Sequence, residues 1–244
     1  MVRSMFGWYE LRTTDVTAAQ AFYADVLEVR GSQGLLYASD QPVASISPLP
    51  ERAAARGAPA HWLGHVGVGD VDGAAQRMVA AGGELLGPVR RAPEGDLLAI
   101  VRDPLGAVLA LSSKREPCSP AVAWHELHTR EREQAWSLYA EIFGWHLTET
   151  LDLGLEAGPY QMFAWDAASP SVGAMLDSAR LPGIHTHWLF YFSVGDLEAA
   201  LARVRSRGGR IAQGPPSAPG SDRIAYIEDP QGAAFGLRET AARG

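Results

Sequence analysis

Glu10 and Glu126 are the residues whose type and setting first suggest chemistry. Each sits in a near-copied stretch, Trp8-Tyr9-Glu10-Leu11-Arg12-Thr13 and Trp124-His125-Glu126-Leu127-His128-Thr129. Read as strands, these stretches send successive side chains to opposite faces. Trp8, Glu10 and Arg12 then share one face, and Trp124, Glu126 and His128 share the matching one. A carboxylate between a tryptophan and a polar residue is out of place on a core face. Against an apolar cavity it can serve as a general acid or base; near a strand end it can equally form a salt bridge or accept backbone hydrogen bonds. His128 follows Glu126 on the same face, which permits an acid–base pair. His65 has the same parity, and histidine is the side chain most readily tuned near neutral pH. His125 points the other way and cannot join them. The rings of Trp8, Trp124 and Tyr191 are suited either to stacking on a flat ligand or to ordinary packing.

Two weaker patterns complete the chemical inventory. His185-Thr186-His187 has a spacing that can hold a metal on a strand, but the sequence suggests no third ligand nearby. Cys118 lies beside prolines with no recognisable base, so a nucleophile there is not expected.

The elements that must position these residues are repeated. His61-Trp62-Leu63 and His187-Trp188-Leu189 share one offset with Asp70 and Asp196, with Gly82-Gly83 and Gly208-Gly209, and with Asp103-Pro104-Leu105-Gly106 and Asp229-Pro230-Gln231-Gly232. Several independent markers in one register indicate a duplication. Each half divides again. Strands over 6–13, 62–68, 122–129 and 187–194 each precede a helix, over 15–28, 71–81, 131–143 and 197–207, where apolar residues recur at helical spacing. Short segments of strand composition follow every helix. The unit is βαβββ, present four times, and the two Gly-Gly pairs suit left-handed helix C-caps. The fold class is therefore α+β, with two curled-sheet domains expected. Residues 1–115 hold modules 1–57 and 61–115; residues 121–240 hold modules 121–180 and 185–240. Ser113–Pro120 reads as the linker, and module one could pair with module two or with module four.

Strand parity also separates two faces. Leu11, Val66, Val68, Leu127, Phe190, Phe192 and Val194 are out of phase with the glutamates and should face the helices. Leu63, His65, Leu189 and Tyr191 fall in phase with them. With Trp8, Arg12 and Trp124 they should line a concave, mainly apolar pocket.

Composition limits the partners. At 244 residues the chain can form one large domain or two of about 120 residues. It is 47% hydrophobic and 20% charged, an ordinary globular balance. A net charge of -7 without a basic stripe argues against nucleic acid. No run approaches the roughly 18 apolar residues of a membrane span, and the N-terminus lacks signal-peptide regions. The single cysteine excludes an internal disulfide framework and fits a reducing cytoplasm. A small molecule is the expected partner, with the chain a monomer or homodimer.

The four βαβββ units, the aspartates ahead of the helices, the aromatic–tyrosine pair and the Asp-Pro-x-Gly turns resemble the vicinal oxygen chelate superfamily. That family includes glyoxalase I, extradiol dioxygenases and bleomycin-resistance proteins. The Trp-x-Glu-Leu-x-Thr and His-Trp-Leu strands are most similar to its tandem glyoxalase-like branch. The resemblance implies metal ligands at fixed places on first and last strands. Here those places hold Trp8, Leu63, Trp124, Leu189, Ala110 and Gly236, so fold and cavity carry over while the metal does not. The expectation is a cofactor-free, metal-independent enzyme of secondary metabolism, acting on a small aromatic or polyketide-like molecule through Glu10 or Glu126 with His65 or His128. The alternative is a protein that binds and sequesters an antibiotic or metabolite.

Overall fold

Aspartates open three of the four long helices in the computed structural model, which describes residues 3–92, 95–114, 121–154, 158–213 and 222–239. Cys118 and most of the expected linker lie outside these residues. The first module is β1 (Phe6–Thr13), α1 (Val16–Val26), β2 (Arg30–Ser32), β3 (Leu35–Ala38) and β4 (Gln41–Pro48), then the single turn α2 (Glu51–Ala54). The second is β5 (His61–Gly67), α3 (Val71–Ala80), β6 (Glu84–Leu85), β7 (Arg90–Arg91), β8 (Leu97–Arg102) and β9 (Val108–Ser112). The third is β10 (Val122–His128), α4 (Arg132–Phe143), β11 (His146–Asp152), β12 (Pro159–Ala164) and β13 (Gly173–Leu176), then a 3-10 turn at Ser178–Arg180. The fourth is β14 (His187–Ser193), α5 (Leu197–Ser206), β15 (Arg210–Gln213), β16 (Arg223–Glu228) and β17 (Ala234–Glu239). Sequence patterning does not show β2, β7, α2 or the 3-10 turn, which are too short to carry a period.

Helix ends follow local chemistry. Asp15, Asp70 and Asp196 accept from Ala18 N (2.9 Å), Gly73 N (2.9 Å) and Ala199 N (3.0 Å), satisfying donors that the first turn leaves open. Glu131 is too long for this geometry and makes no side-chain cap; Asp177 instead accepts from Arg132 N at 2.7 Å. Gly82 and Gly208 take φ of 96° and 82°, the left-handed conformation in which a side chain is strained.

The strands form two mixed sheets, in the orders β2-β3-β4-β1-β5-β9-β8-β6, with β7 on β8, and β11-β12-β13-β10-β14-β17-β16-β15. Within every module the first and last strands run parallel. This register sets Glu10 beside Ser45, His65 beside Ala110, Glu126 beside Ala174 and Tyr191 beside Gly236. The architecture is α+β, built from four repeats of one unit.

By density of packing the chain forms two compact units. One gathers the described residues of Met1–Trp8, Gly64–Cys118 and Trp124–Leu189, and the other those of Tyr9–Leu63, Ser119–Ala123 and Phe190–Gly244. The core of the first unit is aromatic. Trp145 stacks on Phe163 with centroids 4.9 Å apart and on Tyr139 at 5.6 Å. His125 stacks on Phe6 at 5.1 Å, so it faces this core as its parity requires. Trp188 Nε1 donates to Tyr139 Oη (3.2 Å), and Tyr139 Oη donates to Asp103 Oδ2 (2.9 Å). The other oxygen of Asp103 accepts the amides of Leu105, Gly106 and Ala107 at 2.9, 2.7 and 2.9 Å.

The second unit contains the same relay. Trp62 Nε1 donates to Tyr23 Oη (3.0 Å), which donates to Asp229 Oδ2 (3.1 Å). Asp229 Oδ1 accepts from Gln231 N (2.9 Å) and Ala233 N (2.8 Å). The Asp-Pro-x-Gly segments are thus turns, as their composition indicates, and also buried acceptors for a helix tyrosine. Burial raises the pKa of Tyr23 and Tyr139 well above the usual phenol value. Burial also raises those of Asp103 and Asp229, against the pull of their hydrogen bonds.

Candidate functional site

In the first unit, β10 delivers Trp124, Glu126 and His128 to one face, and both carboxylate oxygens of Glu126 have named partners. Tyr160, on β12, donates to Oε1 at 2.6 Å. His128 Nε2 lies 3.4 Å from Oε2, an ion-pair distance longer than a well-formed hydrogen bond. Trp124 Nε1 donates to Tyr160 Oη at 2.7 Å. His128 Nδ1 contacts Ser178 Oγ at 2.7 Å, just beyond β13. Glu126 is 1% exposed and His128 6%, while Trp124 and Tyr160 are half-buried.

His187, at the start of β14, completes the cluster. Its ring stacks on His128 with centroids 4.8 Å apart and planes 9° from parallel, and its Nδ1 meets the carbonyl of His185 at 2.7 Å. Burial, and then the neighbouring His128, lower the pKa of His187 to about 4. It is neutral at pH 7, leaving His128 as the stacked ring nearer the carboxylate. Burial also lowers His125 to about 4, with its Nδ1 on the carbonyl of Val172 at 2.7 Å.

The second unit places Glu10 differently. Arg12 Nη2 is 3.3 Å from Glu10 Oε2, and Ser47 Oγ donates to Oε1 at 2.5 Å. His61, matching His187 in the repeat, feels Arg12 and Glu10, although burial is the largest influence and lowers its pKa. A carboxylate beside a permanent guanidinium is held as an ion pair; one beside an imidazole has a partner that can give and take a proton.

Trp8 is half-buried, with the Lys114 ammonium 5.7 Å from its ring centre. Leu63, Leu189 and Tyr191 are 0%, 2% and 0% exposed, and His65 is 8% exposed. Leu11, Leu127 and Phe190, of the opposite phase, are each 0% exposed. On β5 and β14 both faces are therefore covered, which alternation alone cannot reveal, whereas Trp8, Glu10 and Arg12 on β1 are half-buried. A hollow of about 560 Å³ opens beside the β11–β12 hairpin, lined by Thr150, Leu151, Asp152, Gly154, Gly158 and Pro159. Its lining contains neither glutamate, though Leu151 pairs with Tyr160 across the hairpin.

A metal does not fit the positions where the family would hold one. Leu63 and Leu189 are buried hydrocarbon, Trp124 spends its only donor on Tyr160, and Ala110 has no ligating atom. A Cβ at Gly236 would lie 2.2 Å from the Tyr191 ring. Among the described residues no group of three or more His, Cys, Asp or Glu side chains could hold a metal ion. His185 and His187, the weaker metal pattern, are tied by the contact of the His187 ring with the His185 carbonyl.

The sequence profile of the glyoxalase/bleomycin resistance protein/dioxygenase superfamily matches residues 5–111 and 122–237. The chain belongs to this superfamily. It is 29% identical over 253 residues to CFP32 of Mycobacterium tuberculosis (strain CDC 1551 / Oshkosh), a protein provisionally named a glyoxylase, with 96% of this chain and 94% of the relative covered. It is 26% identical over 259 residues to the anthracycline biosynthesis protein DauV of Streptomyces sp. (strain C5), covering 96% and 92%. Among solved structures, the Mn(II)-bound glyoxalase from Novosphingobium aromaticivorans superposes with a TM-score of 0.64 at 19% identity, covering 98% of this chain and 83% of that one. This last likeness concerns the fold. No helix among the described residues is long and apolar enough to cross a membrane.

Sequence reasoning finds Glu126, His128 and Trp124, but not Tyr160, Ser178, Ser47 or the stacking role of His187. Tyr160 lies on a strand without a near-copy, so the repeat gives no signal for it. His187 falls in a repeated motif, where it looks like a structural marker.

Proposed function

We propose that this chain is a metal-independent enzyme that moves a proton on a small, flat, hydroxylated aromatic metabolite of polyketide type. One observation carries the reading: a nearly fully buried carboxylate, Glu126, set between a phenol donor and an imidazole. Taking a carboxylate out of water is unfavourable unless it is paired and hydrogen-bonded. A site made only to grip neutral aromatic rings would not need it. Likeness to an anthracycline biosynthesis protein supports the substrate class.

In this reading Glu126 accepts a proton from an acidic hydroxyl or activated carbon of the substrate at Oε2. His128 carries a proton to or from the same place, and Ser178 holds its ring in position at Nδ1. Trp124 offers an indole face to a planar ring. General acid–base catalysis by a placed pair of this kind contributes roughly a hundredfold to ten-thousandfold. The positions where the family holds metal ligands carry residues without suitable donors here, which supports giving proton transfer to the chain's own side chains in this reading.

The test pairs ligand binding with product analysis. Metabolites captured from extract by the purified protein are identified and then incubated with wild type and Glu126→Gln. Glutamine keeps the size and hydrogen-bonding reach of the side chain without the titratable group. The enzyme reading expects product from wild type only, with similar affinity for both proteins. Binding without product in either would establish the sequestering alternative.

A further inference from the structure

Three Trp→Tyr→carboxylate relays run through the described residues, all with the same polarity. Two of them, Trp62→Tyr23→Asp229 and Trp188→Tyr139→Asp103, are copies of each other in separate units and are buried throughout, each residue 5% exposed or less. Their duplication marks them as parts of the repeat's own framework. The third, Trp124→Tyr160→Glu126, is half-buried at its donor end and reaches the candidate site.

This third relay has no copy in sequence, although its two ends do. Trp8 and Glu10 match Trp124 and Glu126. Register locates the missing middle. Glu126 pairs with Ala174, and Ala174 with Met162; in the first module Glu10 pairs with Ser45, and Ser45 with Leu35. Two positions before Met162 stands Tyr160; two before Leu35 stands Gln33, in a turn with φ of 51°. The framework therefore does not require this tyrosine.

Hydrogen-bond direction is fixed by elementary chemistry. An indole N–H can only donate. Tyr160 Oη must accept it, and its own proton then points to Glu126 Oε1. That oxygen is occupied, which turns Oε2 toward His128. The first module instead holds its carboxylate with Ser47 and the guanidinium of Arg12. We propose that Tyr160 is the positioning residue that makes Glu126, rather than Glu10, the reacting carboxylate of this chain. The proposal rests on the acid–base reading above.

The experiment compares wild type, Tyr160→Phe and Trp124→Phe by two readouts. The first is binding of 1,4-dihydroxyanthraquinone, followed by its visible absorbance across pH. The second is the carboxylate infrared band of Glu126, isolated by subtracting the spectrum of the matching Glu126→Gln protein. A carboxylate that loses a donor is protonated more readily. Tyr160→Phe should therefore lose the probe at a pH about one unit higher than wild type, with affinity at high pH within roughly threefold, and its carboxylate band should move. An unmoved band overturns the proposal, and so does a moved band with binding lost at the wild-type pH. If no protein binds the probe, the substrate class proposed above fails, while the infrared band still decides the role of Tyr160. Should Tyr160→Phe not fold, Trp124→Phe takes its place. Removing the indole donor frees the hydroxyl to turn away, so the band must move in that variant too or the proposal falls.

Discussion

Tyr139 donates its phenol proton to Asp103 at 2.9 Å, from a helix of the third module to a turn of the second. Both residues belong to one compact unit, and the other unit contains the same bond between Tyr23 and Asp229 at 3.1 Å. The strongest repeat markers in the sequence, the aromatic–tyrosine pair and the Asp-Pro-x-Gly turn, are the two ends of one buried hydrogen bond.

Tyr139→Phe should therefore be costly out of proportion to one oxygen atom. It leaves Asp103 Oδ2 without this donor and the Trp188 indole without its acceptor, inside a packed aromatic cluster. Stranding buried polar groups costs about 1–3 kcal/mol. Urea unfolding should show a lower midpoint at an unchanged slope, and Tyr23→Phe should do the same. Stability within about 0.5 kcal/mol of wild type would show that the relay is not structural.

Acid stability should depend on His125. Its pKa is about 4 in the fold and the ordinary value is 6.5, so between these the unfolded chain binds more protons. Stability from this group is complete above pH 6.5 and declines as pH falls toward 4. The loss is on the order of 3 kcal/mol. Asp103 and Asp229, whose pKa values burial raises, act in the opposite direction, so the useful measurement is a difference. His125→Phe keeps the stack on Phe6 but cannot be protonated. Its unfolding free energy should fall less than that of wild type between pH 6.5 and pH 4; parallel curves would contradict the assignment.

Turnover should separate a reacting Glu126 from a merely ligand-binding one. With the substrate in hand, Glu126→Gln is expected to lower kcat by roughly a hundredfold or more while KM stays within a few fold. His128→Asn should lower kcat in the same direction. Equal losses in kcat/KM through KM alone would make Glu126 a binding group.

Chelation should leave the protein unchanged. Trp8, Leu63, Trp124, Leu189, Ala110 and Gly236 stand where the family places ligands, and none offers a metal donor. Dialysed protein is expected to contain no stoichiometric transition metal, and EDTA should not shift its melting temperature. Elemental analysis finding one Zn, Fe, Mn or Ni per chain would refute this.

The sequence by itself determined the duplication, the four βαβββ units and the phase of each central strand. These depend on local propensity, turn chemistry and alternation, and repetition amplifies all three. It also singled out Glu126 and His128 as a pair, because neighbours on one strand face need no tertiary information to be placed together. Only the tertiary structure decided what surrounds them. Tyr160 and Ser178 arrive from β12 and the turn after β13 through strand register, which no local pattern encodes. Alternation puts Leu63, Leu189 and Tyr191 on the glutamates' side of their strands, but their near-complete burial is set by the fold, because a strand's period says which side a residue faces and not what covers that side. The contrast between Glu10 with Arg12 and Glu126 with His128 stands in the sequence; that the second carboxylate also receives a directed phenol proton appears only once the chain is folded.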